Sequence, residues 1–101
     1  MSQRRPNIVF ILTDDQGYGD LGCHGNSTID TPNLDDLHNR SIRFTNYHVG
    51  STCAPTRAGL LTGHYCTSAG VWHTIGGRSL LRENEWTLAN ALSESGYRTG
   101  H

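Results

Sequence analysis

The chain contains no lysine, a single methionine, only three prolines, and no apolar run longer than the five residues from Ile8 to Leu12. A run of that length is too short to cross a bilayer. It is also too short for the apolar core of a secretory signal, although Arg4 and Arg5 precede it. All 8 basic residues are arginine and stand against 9 acidic ones, for a net charge of −1. So balanced a surface offers no field for nucleic acid or an acidic membrane, and neither partner is expected. Cysteine is scarce as well. Cys23, Cys53 and Cys66 are odd in number and widely spaced, which excludes a disulfide framework. The lack of any Cys-x-x-Cys pair argues against structural zinc on spacing grounds. With 101 residues, 35% of them hydrophobic, the chain is one small domain or part of a larger one, with a modest core.

What is present has a clear order. Asn7-Ile-Val-Phe-Ile-Leu-Thr13 is a continuous apolar run, which predicts a strand buried on both faces as in a parallel sheet. Asp14 and Asp15 follow where such a strand would emerge at its carboxyl end, the edge at which open α/β sheets bind ligands. Residues 16–29 hold Gly17, Gly19, Gly22 and Gly25 without periodicity and read as a loop. Thr31-Pro-Asn-Leu-Asp-Asp-Leu37 predicts a helix, with Thr31 as cap, Pro32 in the first turn, acidic residues near the positive end of the dipole, and Leu34 and Leu37 facing a core. Alternation over residues 42–47 predicts a second strand, which would complete a right-handed βαβ unit. A second helix is expected from Cys53 to the Gly63 stop. Residues 64–82 are punctuated by glycine and irregular. A third helix is expected around Leu88, Ala91 and Leu92, ending at Gly96, and residues 97–101 read as the approach to another strand.

Two short segments can carry chemistry. Adjacent carboxylates repel, so Asp14-Asp15 suits either a hard cation such as Ca²⁺ or Mg²⁺, or a turn that caps backbone N–H groups. Cys53-Ala-Pro-Thr-Arg57 places a sulfur at a helix start, where unpaired N–H groups favour negative charge. Arg57, four residues on, falls on the same face, and Pro55 is tolerated only in a first turn. That arrangement fits an oxyanion site beside a nucleophile, or an ordinary buried cysteine near a helix start. His24, His38, His48, His64, His73 and His101 show no His-Glu-x-x-His or similar spacing and read as solvated or packed. Cys23 and Cys66 read as packing residues, and Trp72 and Trp86 as core or cleft wall.

Taken together the segments resemble type I sulfatases, formylglycine-dependent arylsulfatase-like enzymes of the alkaline phosphatase superfamily. Cys53-Ala-Pro-Thr-Arg57-Ala-Gly-Leu-Leu-Thr62-Gly63 is similar to that family's signature. Pro6-Asn-Ile-Val-Phe-Ile-Leu-Thr-Asp-Asp15 and Gly17-Tyr-Gly-Asp-Leu-Gly22 resemble its opening. Thr31-Pro-Asn-Leu34, Arg43-Phe-Thr-Asn46, Thr87-Leu-Ala and Ser95-Gly-Tyr97 follow in order, so the likeness covers essentially the whole chain.

The resemblance implies an α/β fold, the N-terminal part of an alkaline-phosphatase-like sandwich whose mostly parallel central sheet is flanked by helices. Residues 1–101 would form an incomplete portion of the catalytic domain. It implies hydrolysis of sulfate esters, on small molecules or sulfated glycans, through a formylglycine gem-diol made from Cys53. Asp14, Asp15 and residue 53 would ligate Ca²⁺, or Mg²⁺, and Arg57 would hold the diol. A formylglycine-generating enzyme would be the maturation partner, reading Pro55 and Arg57. Family members usually follow a Gly-Tyr-x-Thr segment with Gly-Lys-Trp-His, which supplies the lysine this chain lacks, so this chain alone is expected to fold poorly and be inactive. They are often periplasmic, lysosomal or secreted. Two other functions suit the same residues: a phosphodiesterase or phosphonate monoester hydrolase of that superfamily, and a non-catalytic Ca²⁺-binding fragment.

Overall fold

The computed structural model describes residues 5–100, which divide into two compact units, one ending at Phe44 and one beginning at Thr45. In the first, residues 5–13 run without regular structure to a bend at Asp14 and Asp15, where Asp15 adopts a left-handed φ of 49°. Aspartate tolerates that region better than most side chains, which is why it can end the segment. A turn follows in which the Asp20 carboxylate accepts from the Gly17 N–H at 2.7 Å. A single 3₁₀ turn spans Gly22–His24, closed by Gly25 in the left-handed region.

Helix α1, Pro32–Arg40, starts on its proline as expected. Thr31 occupies the cap position but does not cap. Its hydroxyl accepts from the Gly22 N–H at 2.8 Å and donates to Asp35 at 2.9 Å. Asp35 in turn accepts from the Cys23 N–H at 2.8 Å. The first turn of α1 therefore satisfies the open donors of the 3₁₀ turn rather than its own. The two meet so closely that a Cβ on Gly22 would lie 2.7 Å from Asp35 Oδ2. Gly22→Ala is expected to release this contact, read as faster amide exchange at Cys23 with the helicity of the second unit unchanged. Arg40 pairs with Asp36 at 2.6 Å, but both side chains are mostly exposed, so the pair adds only about 0.3–0.5 kcal/mol.

In the second unit, helix α2 spans Cys53–Thr62 and ends at Gly63, whose φ of 69° lets its N–H return to the Gly59 carbonyl at 2.8 Å. Helix α3 spans Leu88–Glu94 and opens on a reciprocal cap in which Thr87 and Asn90 bond each other's backbone N–H groups. The core here is small: Pro55, Ala58 and Thr62 of α2 together with Ala69 and Val71. Ala69 and Val71 are locked in by backbone bonds, Arg82 N–H to the Ala69 carbonyl at 3.0 Å and Val71 N–H to the Cys66 carbonyl at 2.8 Å. Between them Gly70 has a φ of 87°, and a Cβ there would lie 2.9 Å from Arg82 Cγ. Gly70→Ala is expected to destabilise this unit by about 1–3 kcal/mol in chemical denaturation.

The sheet expected from the sequence is not seen, for no strand occurs among the described residues. Residues 7–13 are not buried on two faces: Val9 is 82% and Ile11 79% exposed. Apolar composition marks a segment that can be buried, but burial needs neighbouring strands, and the ladder bonds that define a strand need a partner. For the same reason residues 42–47 form no second strand, no βαβ unit closes, and Leu34 and Leu37 stay exposed on α1. Residues 97–100 are likewise irregular, and His101 lies outside the described residues. Trp72 and Trp86 are half exposed rather than core. The guanidinium of Arg78 stacks over Trp72 at 4.5 Å, and the Trp86 indole donates to Glu94 at 3.2 Å.

Candidate active site

Cys53 is the first residue of α2 and is exposed. Thr52 precedes it with extended backbone and accepts at its carbonyl from both the N–H of Thr56, at 3.1 Å, and the Thr56 hydroxyl, at 2.8 Å. These bonds fix the first turn. A Cβ on Gly50 would lie 3.0 Å from the Thr56 N and 3.2 Å from Pro55 Cβ, so the approach to the helix passes close against that turn. Pro55 is buried within it and needs no amide partner there.

At 100° per residue, Cys53 and Arg57 fall about 40° apart on the helical wheel. Pro55, Ala58 and Thr62 lie on the opposite side and are the buried residues of α2. The core anchors one face, leaving the other to present a thiol and a guanidinium together. Arg57 is exposed, as Cys53 is. The expectation of a helix start with both groups on one face therefore holds, whereas the reading of Cys53 as an ordinary buried cysteine does not.

Asp14 and Asp15 belong to the first unit and lie at the bend that follows the apolar run. Both are exposed, and a pair of carboxylates at a chain bend is a hard, all-oxygen donor set of the kind Ca²⁺ and Mg²⁺ prefer. The donor chemistry thus fits a hard divalent cation.

A second group of side chains was not legible from spacing. The sulfur of Cys23 and one ring nitrogen each of His24 and His38 all lie within 4.8 Å of one another. Asp35 sits beside them, and its carboxyl is held below the usual carboxylate range, chiefly by the Cys23 N–H and also by the Thr31 hydroxyl. Partial burial, with the Asp35 charge adding to it, pushes the Cys23 thiol up. The stabilisation that Asp35 gives this turn is complete above the ordinary carboxylate pKa and is lost as pH falls through its lowered folded value. The amide resonance of Cys23 is expected to follow a titration centred below 3.8, and Asp35→Asn to abolish it.

The comparison with known proteins bears on the whole chain. The Sulfatase family matches residues 6–101. Arylsulfatase G of Rattus norvegicus is 48% identical over 94% of this chain and 19% of its own length. Arylsulfatase H of Canis lupus familiaris is 43% identical over 95% of this chain and 19% of its own length. Arylsulfatase A of Homo sapiens is 46% identical over 96% of this chain and 20% of its own length. The chain therefore spans about a fifth of the length of the curated relatives it matches. With the family matched from residue 6 to residue 101 and such identities along nearly all of its length, the chain belongs to the sulfatase family.

Proposed function

We propose that this chain carries the nucleophile of a sulfuric ester hydrolase, with Cys53 oxidised to formylglycine and Asp14 and Asp15 holding a divalent cation, calcium or magnesium. The observation that supports this most is the first turn of α2, where Pro55 is buried while Cys53 and Arg57 share the exposed face. Membership of the sulfatase family gives that turn its chemical meaning.

Formylglycine at residue 53 would supply a hydrated aldehyde as the oxygen nucleophile toward the sulfur of a sulfate ester. The chain's own residues prepare that chemistry. The unpaired amides at the start of α2 favour negative charge near residue 53. Arg57 directs its guanidinium donors to the oxyanion as charge develops on it. Asp14 and Asp15 would hold the divalent cation, which would supply Lewis-acid polarisation of sulfate oxygens. The substrate class is a sulfate ester, either a small molecule or a sulfated glycan.

In a protein of the relatives' full length we assign residues 1–101 to the N-terminal part of the catalytic domain and residues 7–13 to a strand of a mostly parallel, alkaline-phosphatase-like sheet. The exposure of Val9 and Ile11 suits a segment with room for neighbours on both sides. The small core of the described residues supports the reading that this chain alone is inactive.

The test is made on the residue itself. Expression beside a formylglycine-generating enzyme, followed by mass spectrometry and an aldehyde-reactive probe, is expected to find an aldehyde at position 53. A wholly unmodified thiol would sink the proposal and favour a Ca²⁺-binding role without catalysis. Comparing aryl sulfate with aryl phosphonate turnover then separates a sulfatase from a phosphonate monoester hydrolase.

A further inference from the structure

The group formed by Cys23, His24 and His38 takes no part in the proposed sulfate chemistry, and its donors differ in kind from those of Asp14 and Asp15. Its three side chains are partly buried and come from two elements, the 3₁₀ turn and α1. The 3₁₀ turn is fixed on α1 by the Gly22 bond to Thr31 and the Cys23 bond to Asp35, so residues 23 and 38 meet despite their separation in sequence.

The imidazole of His24 is oriented before any ligand arrives. Its Nδ1 lies 2.6 Å from the Tyr18 carbonyl, which can only accept, so Nδ1 donates there and Nε2 is the nitrogen whose lone pair a neutral ring offers. Its ring also stacks on Tyr18, with centroids 4.1 Å apart and planes 7° from parallel. Donation of one ring N–H to a carbonyl is the arrangement that orients metal-bound histidines and sharpens their basicity. The His38 ring stands edge-on to His24 at 6.1 Å.

We propose that Cys23, His24 and His38 bind a zinc-like divalent ion, clamping the 3₁₀ turn to α1. One thiolate and two imidazoles suit Zn²⁺ and its first-row neighbours and are poor ligands for Ca²⁺ or Mg²⁺. Tetrahedral zinc with ordinary bond lengths spaces its S and N ligands about 3.5 Å apart, so atoms within 4.8 Å reach it by small side-chain rotations. Water fills the fourth position. As the metal–sulfur bond forms, the thiol proton passes to solvent, while Asp35 retains its bonds from the Cys23 N–H and the Thr31 hydroxyl.

Arg43 borders the group and is the cation a metal must tolerate. Its short bond, 2.6 Å, goes to the Tyr18 hydroxyl, whereas its contact with His38 Nε2 is 3.4 Å. The guanidinium favours the thiolate that binding creates, while the Asp35 carboxylate opposes it.

Cobalt(II) titrated into the reduced full chain, with circular dichroism first establishing that α1 is formed, is the test, because a thiolate–cobalt bond has its own charge-transfer absorption. One equivalent is expected to bind with that band and the d–d bands of a tetrahedral site, to be displaced by Zn²⁺, and to be unaffected by excess Ca²⁺. Cys23→Ser is expected to remove the charge-transfer band, and His24→Gln and His38→Gln to weaken binding about tenfold or more. Cys53→Ser and Cys66→Ser are expected to leave the band intact. Should Cys23→Ser disturb folding, His38→Gln carries the test, with circular dichroism to check that α1 persists. Absence of the band at a hundredfold excess of cobalt, or its survival in Cys23→Ser, overturns the proposal. The outcome is independent of whether Cys53 is modified.

Discussion

Replacing Cys53 by alanine in a protein of the relatives' full length that carries this segment is expected to lower kcat toward an aryl sulfate by on the order of 10⁴–10⁶. The expectation follows from what the position supplies. Without the thiol there is no precursor for the aldehyde, and no neighbouring group in the first turn of α2 can replace an oxygen nucleophile covalently attached to residue 53. Each factor of ten corresponds to about 1.4 kcal/mol of barrier, so the loss amounts to roughly 5–8 kcal/mol. Folding should hardly notice, for Cys53 is exposed and alanine is a good helix residue, which keeps the stability change within about 0.5 kcal/mol. Cys53→Ser sharpens the reading, since serine retains a hydroxyl but not a hydrated aldehyde. Turnover of Cys53→Ala within tenfold of the parent would defeat the assignment of residue 53.

Arg57→Ala is expected to reduce kcat by on the order of 10²–10³ with a smaller change in KM, the pattern for a donor whose bonds strengthen as charge develops. Arg57 has two roles in the proposal, in catalysis and in recognition by the maturation enzyme. Activity must therefore be divided by the fraction of chains bearing the aldehyde, measured by mass spectrometry on the same preparation. If the loss vanishes after that correction, Arg57 serves maturation alone. Arg57→Lys keeps the charge but not the forked donor geometry and is expected to recover only part of the rate.

The helices and the turn bearing Cys53 and Arg57 were legible in the sequence because their signals are local. Pro32 marks the start of α1, Gly63 the end of α2, and Gly96, with its φ of 82°, the turn that follows α3. Each of these depends on φ preferences or on bonds spanning a few residues. Strand formation by residues 7–13 depends on what lies alongside them, which hydrophobicity cannot supply, and the run is exposed here. Thr31 misled for a related reason. Its hydroxyl is a good cap in isolation, but the Gly22 N–H and Asp35 compete for it through a contact nine residues away along the chain. That same contact assembles Cys23, His24 and His38, and for this reason their spacing gave no sign of the group. Gly22 marks the contact in the structure, for a Cβ there would meet the Asp35 carboxylate at 2.7 Å.

The division of α2 into a buried face and an open one also has an engineering consequence. Library variation at positions 53 and 57 can sample new reactive groups while Pro55, Ala58 and Thr62 keep the scaffold constant. Selection for chemistry and selection for folding then act on different residues of one ten-residue helix, so gains in either can be accumulated without trading away the other.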